Sequence, residues 1–452
     1  MFNSVLIANR GEIALRIIRT CKRMGLRTVV TYSQADKDAV YLKLADKAIC
    51  IGPPQSKLSY LNINNIIAAA EIADVDAIHP GYGFLSENAH FAEVCRACKI
   101  AFIGPPTAAI ENLGNKIKAK QIAKKAGVPT VPGSDGALAD VDGAVRVAEK
   151  IGYPVLLKAA AGGGGRGMRI AHNPITLRAN FQQAKTEAES AFGDGTVYME
   201  KFIESMRHVE VQFLGDEHGT ALHLGERDCT VQRRNQKLIE ESPCAVIDKR
   251  TRYDIQMSAV SLMQKAGYTN AGTVEFIYDM KDRKFYFMEV NTRLQVEHPV
   301  TEMVTGLDLV EEQLRVASGE KLRWRQKDID RRLAAGGHAF ECRINAEDPK
   351  RGFAPAPGKI SLYCPPVGSE VRMDTHIYSG YSVPPYYDSM VGKLIVHGFD
   401  RPDAARRMHN ALNELVLEGV PTTLAFLREV FGHAKFVSGA YDTSFIRTEM
   451  GL

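Results

Sequence analysis

Short apolar runs alternate with amphipathic stretches along the first quarter of the chain. Their periodicities predict strands at 5–8, 28–32, 48–51, 77–78 and 101–103, and helices at 13–24 and 63–72. Strands that alternate with helices indicate a parallel sheet with helices on its faces.

Two loops, 9–12 and 79–88, follow the carboxyl ends of predicted strands. Ligands of such folds bind at these ends, so both loops are candidate binding loops. The second is rich in glycine and aromatic residues, and Ser86 is the predicted cap of the helix that follows. On its own, this loop could equally be an ordinary turn.

A basic helix is predicted over 115–126, closed by Gly127 and Pro129. Several lysines on one short helix are typical of a solvated face. Lys116 differs because it lies at the helix N-terminus, where anions are attracted.

A run of glycines, 162–165, separates the apolar strand 155–158 from a second strand-like run that ends at Ile170. A Walker loop would need Gly-Lys-Ser/Thr leading into a helix, and neither follows here. A flexible linker would not follow a buried strand. We therefore favour a mobile flap whose backbone N–H groups cover phosphates, with Lys158 adding charge. The stretch 197–203 is the predicted return strand, a hinge and adenine edge.

The stretch 285–302 concentrates the candidate chemistry. Its first half alternates as a strand does, which puts Glu289 and Asn291 on one face. A second strand at 273–278 precedes it, and a turn about residues 281–282 brings Glu289 within one residue of Glu275. Two carboxylates and an amide oxygen suit a hard cation such as magnesium.

Arg293, Gln295, Glu297 and His298 follow within ten residues of Glu289. Any one of them could be an ordinary surface charge. Apolar residues flank the whole run, however, and buried charges are costly unless they are paired or bind ions. The run therefore predicts a metal and anion site.

Three further segments carry weaker signals. A strand at 207–213 puts His208 on one face with Glu210 and Gln212, although a lone histidine is more often structural than a ligand contact. The cations of 232–237 would usually mark a solvated loop, but beside an anion site they form a candidate phosphate clamp. Arg343, in a predicted strand, should face a carboxylate or a site. A helix is predicted over 404–417.

Composition sets the remaining limits. A chain of 452 residues suggests roughly three domains. With 45% hydrophobic residues, 24% charged residues and a net charge of +4, the chain resembles a soluble protein without a nucleic-acid or membrane role. The chain opens on a strand, which leaves no room for a signal peptide. Among eight scattered cysteines, Cys95 and Cys98 form the only C-x-x-C, so we expect reduced thiols and a cytoplasmic protein.

The segments 7–12, 79–88, 162–168, 289–302 and 341–348 together resemble biotin carboxylase, an ATP-grasp enzyme and the first catalytic component of acetyl-CoA carboxylase. The resemblance implies an α/β and α+β fold: an N-terminal Rossmann-like parallel-sheet domain, a mobile glycine-loop lid and a C-terminal mixed-sheet domain. The expected boundaries are 1–114, a helical connector 115–131, the lid 132–203, the ATP-grasp core 204–330 and the C-terminal domain 331–452.

The resemblance also implies roles for single residues. Metal positions, for two Mg²⁺ or Mn²⁺ ions, would be Glu275, Glu289 and Asn291. ATP contacts would be those two glutamates with Lys116, Lys158, Gly163, Gly164, Gly165, Glu200, Lys201, Ile203, His208, Gln232 and Asn235. The bicarbonate pocket would hold Lys237, Arg293, Gln295, Val296 and Glu297, and Tyr82 and Arg343 would lie near biotin. Catalytic roles would fall to Lys237, Arg293, Glu297 and Arg343. Ala161 and Asn235 depart from the usual family pattern, which leaves loop motion and nucleotide affinity open.

The implied reaction is ATP-dependent carboxylation of biotin by bicarbonate through carboxyphosphate. The chain holds no Met-Lys-Met biotin attachment motif, so we expect biotin to arrive on a separate carrier protein, with separate carboxyltransferase subunits. A homodimer is implied by the resemblance alone. The final acceptor stays open among acetyl-CoA, propionyl-CoA and pyruvate. One rival, an ATP-grasp ligase that forms another acyl phosphate, is distinguished by the set Arg293, Gln295 and Glu297 together with Arg343. The other, an inactive nucleotide-binding subunit, would have lost part of the set Glu275, Glu289, Lys237 and Glu297, and all four are present.

Overall fold

The computed structural model describes residues 1–160 and 168–451. Its first sheet is parallel throughout, with strand order β3-β2-β1-β4-β5. The strands are β1 Ser4–Ile7, β2 Arg27–Tyr32, β3 Lys47–Cys50, β4 Ala77–His79 and β5 Ala101–Phe102. The helices are α1 Gly11–Arg23, α2 Val40–Leu44, α3 Ile63–Ala73 and α4 Ala89–Ala97. The predicted parallel α/β domain is confirmed.

The cap of α4 differs from the prediction. Asn88 accepts a hydrogen bond from the backbone N–H of Phe91 at 2.8 Å. Ser86 lies in a turn, where its N–H donates to the carbonyl of Gly83. The predicted cap at Ser86 is wrong because the turn continues for two residues before the helix begins.

A helical segment and a small sheet follow. Helices α5 Thr107–Gly114 and α6 Lys116–Lys125 precede a unit made of α7 Val141–Ile151, β6 Val155–Ala159, β7 Arg169–Ala171, α8 Pro174–Phe192 and β8 Val197–Lys201. Its strands form an antiparallel sheet in the order β7-β6-β8, packed on the two helices through its own apolar cluster. The predicted glycine loop, including Gly163, Gly164 and Gly165, lies outside the described residues, but its flanking strands do pair.

The main sheet has eight strands in the order β13-β12-β9-β10-β11-β14-β21-β19. Its first part contains β9 Met206–Gly215, β10 Ala221–Arg233, β11 Gln236–Ser242, α9 Lys249–Lys265, β12 Asn270–Asp279, β13 Lys284–Asn291, α10 His298–Thr305, α11 Leu309–Ala317 and α12 Gln326–Ala335. The strands pair antiparallel, and one parallel bridge joins Thr130 to Phe287 at the edge.

The rest of the chain continues this sheet. It contains β14 His338–Asn345, β15 Glu347–Asp348, β16 Ala354–Pro355, β17 Gly358–Lys359, β18 Leu362–Cys364, β19 Val371–Thr375, β20 Ser382–Val383, β21 Met390–Gly398, α13 Arg401–Glu414, β22 Val416–Glu418, α14 Leu424–Gly432, α15 Ala434–Val437 and α16 Phe445–Glu449. Because β11 pairs with β14, the sheet runs across the expected boundary between residues 330 and 331.

Helix α13 ends earlier than the predicted 404–417. The backbone of Leu415 is extended, and Leu417 pairs with Tyr363 between β22 and β18. Over the three residues 415–417, apolar periodicity does not distinguish the end of a helix from a short strand.

Alternation along β14 gives the main sheet two different faces. Cys342 and Ile344 enter a large apolar core under α13 and α14, whereas Glu341 and Arg343 lie on the opposite face. We call the face that carries Glu341 and Arg343 the site face and the other the core face.

The register of the β12–β13 hairpin is close to the prediction. Counting from the turn places Glu289 opposite residue 274, whereas it lies opposite Glu275. A bulge between Glu275 and Phe276 shifts the pairing by the one residue.

Two further observations complete the fold. All eight cysteines are free thiols, as the sequence predicted. Within residues 1–160 and 168–451, none of the helices combines the length and the apolar composition needed to cross a membrane.

Candidate active site

A single cavity of about 1160 Å³ lies where the parallel sheet, the small sheet and the main sheet meet. Every predicted site residue outside the undescribed segment lines it: Tyr82, Lys116, Lys158, Glu200, Lys201, Ile203, His208, Gln232, Asn235, Lys237, Glu275, Glu289, Asn291, Arg293, Gln295, Val296, Glu297 and Arg343. Residues from nine separate stretches of the sequence, between positions 82 and 343, therefore share one space.

Lys237, near the start of β11, is the electrostatic centre of the cavity. Its ammonium donates to Glu210 and Glu297 at 2.6 Å each and to Glu275 at 2.9 Å. Burial by itself would lower the pKa of Lys237, but the three carboxylates raise it above its ordinary value. The group is a cation whose three N–H donors are all engaged.

Glu297 lies between two cations. One oxygen accepts from Lys237, and the other accepts from Arg343 at 2.9 Å. Burial alone would raise the pKa of Glu297, but Lys237 and Arg343 hold it well below its ordinary value. Glu297 is therefore ionised at neutral pH and able to accept a proton.

Arg343 was expected to face a carboxylate, and it faces two. Its Nε donates to Glu240 at 2.6 Å, and its second contact is Glu297. Arg343, predicted to lie near biotin, is thus in direct contact with Glu297, the predicted base for bicarbonate.

The predicted metal residues lie on neighbouring strands. Glu275 and Glu289 are directly opposite each other, and the Asn291 side-chain amide donates to Glu275 at 2.8 Å. Lys116 contacts Glu289 at 3.1 Å. Burial raises the pKa of Glu275, but Lys237 and the neighbouring His208 lower it overall, so it is ionised. The oxygen donor set fits Mg²⁺ or Mn²⁺.

Arg293 is fixed by the loop that follows β4. Its Nε donates to Glu87 at 2.9 Å, and its other nitrogens donate to Gln295 at 2.7 Å and Asn291 at 3.2 Å. Glu87 also accepts from the backbone N–H of Thr292 at 3.0 Å. The candidate loop 79–88, which follows a strand of the parallel sheet, thus supports residues 292–293 at the end of a strand of the main sheet.

Lysines gather at the side of the cavity nearest the small sheet. Glu200 accepts from Lys158 at 2.6 Å and from Lys120 at 2.9 Å. Burial raises the pKa of Glu200, but the two lysines lower it overall. Lys201 donates to two backbone carbonyls, those of Gly152 and Tyr153.

The basic segment 232–237 is the tip of the β10–β11 hairpin, and its residues 234–236 are exposed. Arg233 pairs with Gln236 across a two-residue turn in which Arg234 and Asn235 have φ of 50° and 64°. Asparagine tolerates the left-handed region, which accounts for the residue at position 235. Gln232 contacts the ring of His208 at 2.6 Å, and that ring lies 3.0 Å from Glu275.

A buried cluster beside Tyr82 was missed by the sequence analysis. The Tyr82 hydroxyl donates to Glu12, which also lies 3.2 Å from the ammonium of Lys393. Burial would lower the pKa of Lys393, but Glu12 and Glu341 raise it overall. Lys393 is therefore charged although it is fully buried.

Other supporting residues were also missed: Lys120, Arg227, Glu240, Lys393 and, as a site residue, Glu210. Arg227 donates to Glu210 at 2.6 Å, so that glutamate is held by cations on both sides. For the four of these residues that lie in strands, a charge inside an otherwise apolar run was the available signal, because such side chains need partners.

These features place the protein among the ATP-grasp ligases. Residues 1–110 match the biotin carboxylase N-terminal domain, residues 115–325 the ATP-binding domain of the carbamoyl-phosphate synthase L chain, and residues 341–448 the biotin carboxylase C-terminal domain. The chain belongs to the biotin carboxylase family. It is an enzyme, an ATP-dependent ligase that carboxylates biotin.

Individual relatives agree over the full length. Biotin carboxylase 1 of Bacillus subtilis is 52% identical over 448 residues, 99% of each chain. The structure of a biotin carboxylase complex from Campylobacter jejuni matches with a TM-score of 0.95 at 53% identity, covering 99% of this chain and 98% of that one. The biotin carboxylase domain dimer of Hydrogenobacter thermophilus 2-oxoglutarate carboxylase, bound to MgADP, ADP and bicarbonate, matches with a TM-score of 0.93 at 48% identity, covering 99% and 97%.

Proposed function

We propose that bicarbonate is first activated by ATP to carboxyphosphate, and that biotin is then carboxylated in the same cavity, as the first half-reaction of acetyl-CoA carboxylase. The observation that carries this assignment is the position of Glu297, an ionised carboxylate in direct contact with both Lys237 and Arg343. A base held between two cations can take a proton from an anionic substrate that the same cations attract.

In the first step, Glu297 takes the proton of bicarbonate. The freed oxygen attacks the γ-phosphorus of ATP, and the bond to ADP breaks. Lys237 and Arg293 offset the negative charge that develops, while Gln295 and the backbone at Val296 orient the anion. The contacts of Arg293 with Glu87, Asn291 and Gln295 support this role, because they fix its guanidinium before substrate arrives.

ATP would lie along the rest of the cavity. Its phosphates would contact Lys116, Lys158 and the backbone of Gly163, Gly164 and Gly165, while Glu200, Lys201, Ile203, His208, Gln232 and Asn235 would surround the nucleoside. Glu275, Glu289 and Asn291 would hold Mg²⁺ or Mn²⁺, two ions in the family pattern. Such an ion neutralises phosphate charge and orients the leaving group.

In the second step, carboxyphosphate divides into carbon dioxide and phosphate. The phosphate takes the proton from the ureido nitrogen of biotin, and that nitrogen then adds to carbon dioxide. Arg343 stabilises the enolate form of the ureido group, and Tyr82 lies beside it. The contact between Arg343 and Glu297 means that the two steps share a charge pair.

The proposed partners are a biotin carrier protein acting in trans, carboxyltransferase subunits and a second copy of this chain, in the cytoplasm. The dimeric domain from Hydrogenobacter thermophilus supports the homodimer. Acetyl-CoA is the proposed final acceptor, and pyruvate or propionyl-CoA is the alternative. The proposed domain boundaries are those expected from the sequence, 1–114, 115–131, 132–203, 204–330 and 331–452.

ATP cleavage by the purified chain tests the assignment. We expect slow cleavage that requires bicarbonate and Mg²⁺ and that accelerates when free biotin is added, with carboxybiotin detected from labelled bicarbonate. Avidin blotting of the chain itself should be blank. Cleavage that ignores bicarbonate, or that responds instead to an amine or amino acid, would assign the site to another ATP-grasp reaction.

A further inference from the structure

Lys393 is a fully buried ammonium in the middle of β21, on the site face of the main sheet. Its cross-strand neighbours are Arg343 on one side and Asp374 on the other. A buried ammonium is costly unless its protons are engaged. The partners of those protons therefore show what the residue does.

The shortest contact of Lys393 is with a backbone carbonyl. Its ammonium donates to the oxygen of Val296 at 2.6 Å. Val296 lies between Gln295 and Glu297, just before α10 begins at His298. Fixing this carbonyl fixes the peptide plane between Val296 and Glu297, and hence the backbone from which the Glu297 side chain projects.

The second contact leads to the other substrate. Glu12, in the first turn of α1, lies 3.2 Å from the Lys393 ammonium and accepts from the Tyr82 hydroxyl. The same ammonium is 5.9 Å from the centre of the Tyr82 ring. The acceptor that orients Tyr82 is thus held by Lys393.

We propose that Lys393 is a positioning residue that orients both substrate sites, the bicarbonate segment through the Val296 carbonyl and the biotin-side Tyr82 through Glu12. This inference rests on the proposed function. Lys393 touches neither the reacting atoms nor the nucleotide contacts, and it acts through residues of three sequence segments. Its loss changes substrate binding geometry while leaving Lys237, Glu297 and Arg343 present.

Steady-state kinetics with free biotin separates the effect of the Lys393–Val296 contact from that of the Lys393–Glu12 contact. In Lys393→Met we expect KM for bicarbonate and KM for biotin each to rise about tenfold or more, with KM for ATP within about twofold of wild type. In Glu12→Gln the Val296 contact remains, so only KM for biotin should rise. The double variant Lys393→Met/Glu12→Gln removes both buried charges together, which protects folding, and should keep the raised KM for bicarbonate.

Arg401→Met is the matched control, because it also removes a cation from a buried carboxylate, Glu241, on the core face. It should lower Tm without raising either KM. The proposal is overturned if both Lys393 variants keep KM for bicarbonate within twofold, if they lower Tm with no change in either KM as the control should, or if neither variant folds. Wild-type enzyme without bicarbonate-dependent ATP cleavage would overturn the proposed function and this inference with it, whereas an active wild type with unchanged Lys393 variants overturns this inference alone.

Discussion

Glu240 and Glu241 are consecutive residues of β11 and point to opposite faces of the main sheet. On the core face, Glu241 accepts from Arg401 at 2.6 Å and Tyr441 at 2.5 Å and contacts the His338 ring at 2.7 Å. On the site face, Glu240 accepts from Arg343 at 2.6 Å, and its second oxygen has no partner among the described residues.

The two carboxyl groups respond to burial in opposite ways. Burial raises the pKa of both, but His338 and Arg401 outweigh it for Glu241 and lower that pKa to about 2. For Glu240, burial outweighs Arg343, nearby Glu297 adds to it, and the pKa rises to about 7. The same surroundings also raise the pKa of Glu210 and Glu341 through burial.

The opposite pKa shifts distinguish a cluster that stabilises the fold, around Glu241, from one that belongs to the candidate active site, around Glu240. The core face supplies Glu241 with enough donors to satisfy it. The site face crowds several carboxylates around Lys237, Arg343 and Lys393, so its groups remain responsive to a bound cation or a changed charge. Perturbed acids gathered behind the lining of a cavity are typical of functional sites.

The largest expected effect is a loss of catalytic rate that occurs for a substitution on the site face but not for the same substitution on the core face. Glu297→Gln should lower bicarbonate-dependent ATP cleavage and biotin carboxylation together, each by about 10³-fold, because no base activates bicarbonate. Glu241→Gln, the same change on the core face, should lower Tm but keep the rate of the folded enzyme. An equal loss of rate in Glu297→Gln and Glu241→Gln would contradict the assignment of different roles to the two faces.

The second prediction concerns the pH dependence of stability, which should differ between Glu240 on the site face and Glu241 on the core face. The raised pKa of Glu240 means that its folded carboxyl holds a proton more tightly than the unfolded one, whose ordinary value is 4.5. Wild type should therefore lose stability relative to Glu240→Gln as pH rises from 4.5 to about 7, by up to about 3 kcal/mol.

Glu241 should show the opposite dependence of the free energy of unfolding on pH. Because its pKa is lowered to about 2, its contribution is present above pH 4.5 and is lost as pH falls toward 2, again by up to about 3 kcal/mol. Urea unfolding of wild type and both Gln variants from pH 2 to 8 measures both pH dependences. Two variants that differ from wild type over the same pH range would contradict the assignment.

A smaller effect concerns Arg343. Arg343→Ala should lower biotin carboxylation by about 10²-fold and ATP cleavage by less, because carboxyphosphate can still form. Arg343 also lowers the pKa of Glu297, so its loss should move the acid limb of ATP cleavage to higher pH. Arg401→Ala is the control. Identical factors for both activities, with no shift in the pH profile, would mean that Arg343 only supports β14.

The smallest effect concerns the metal residues. Glu289→Gln should raise the Mg²⁺ concentration needed for half-maximal rate by at least about tenfold and slow turnover at ordinary Mg²⁺, while the fold survives. Glu241→Gln should leave that concentration unchanged. A normal Mg²⁺ dependence in Glu289→Gln would remove this residue from the metal set.

Much of this protein could be predicted from local sequence. The strands of the first domain, Lys116 at a helix start, and the pairing of Glu275 with Glu289 to within one residue all follow from periodicity, capping and turn position. The need of Arg343 for a carboxylate follows from the cost of burying a charge. Such inferences succeed because the interactions behind them span a few residues, or one hairpin.

The tertiary structure decided which charges meet. Lys237 contacts glutamates 27, 38 and 60 residues away, and Lys393 reaches a carbonyl 97 residues away. These pairs depend on the order of strands in the main sheet and on the packing of α1 against β21. Periodicity along one strand states only that a side chain is buried, whereas the opposite pKa shifts of Glu240 and Glu241 arise from neighbours that only the assembled sheet supplies.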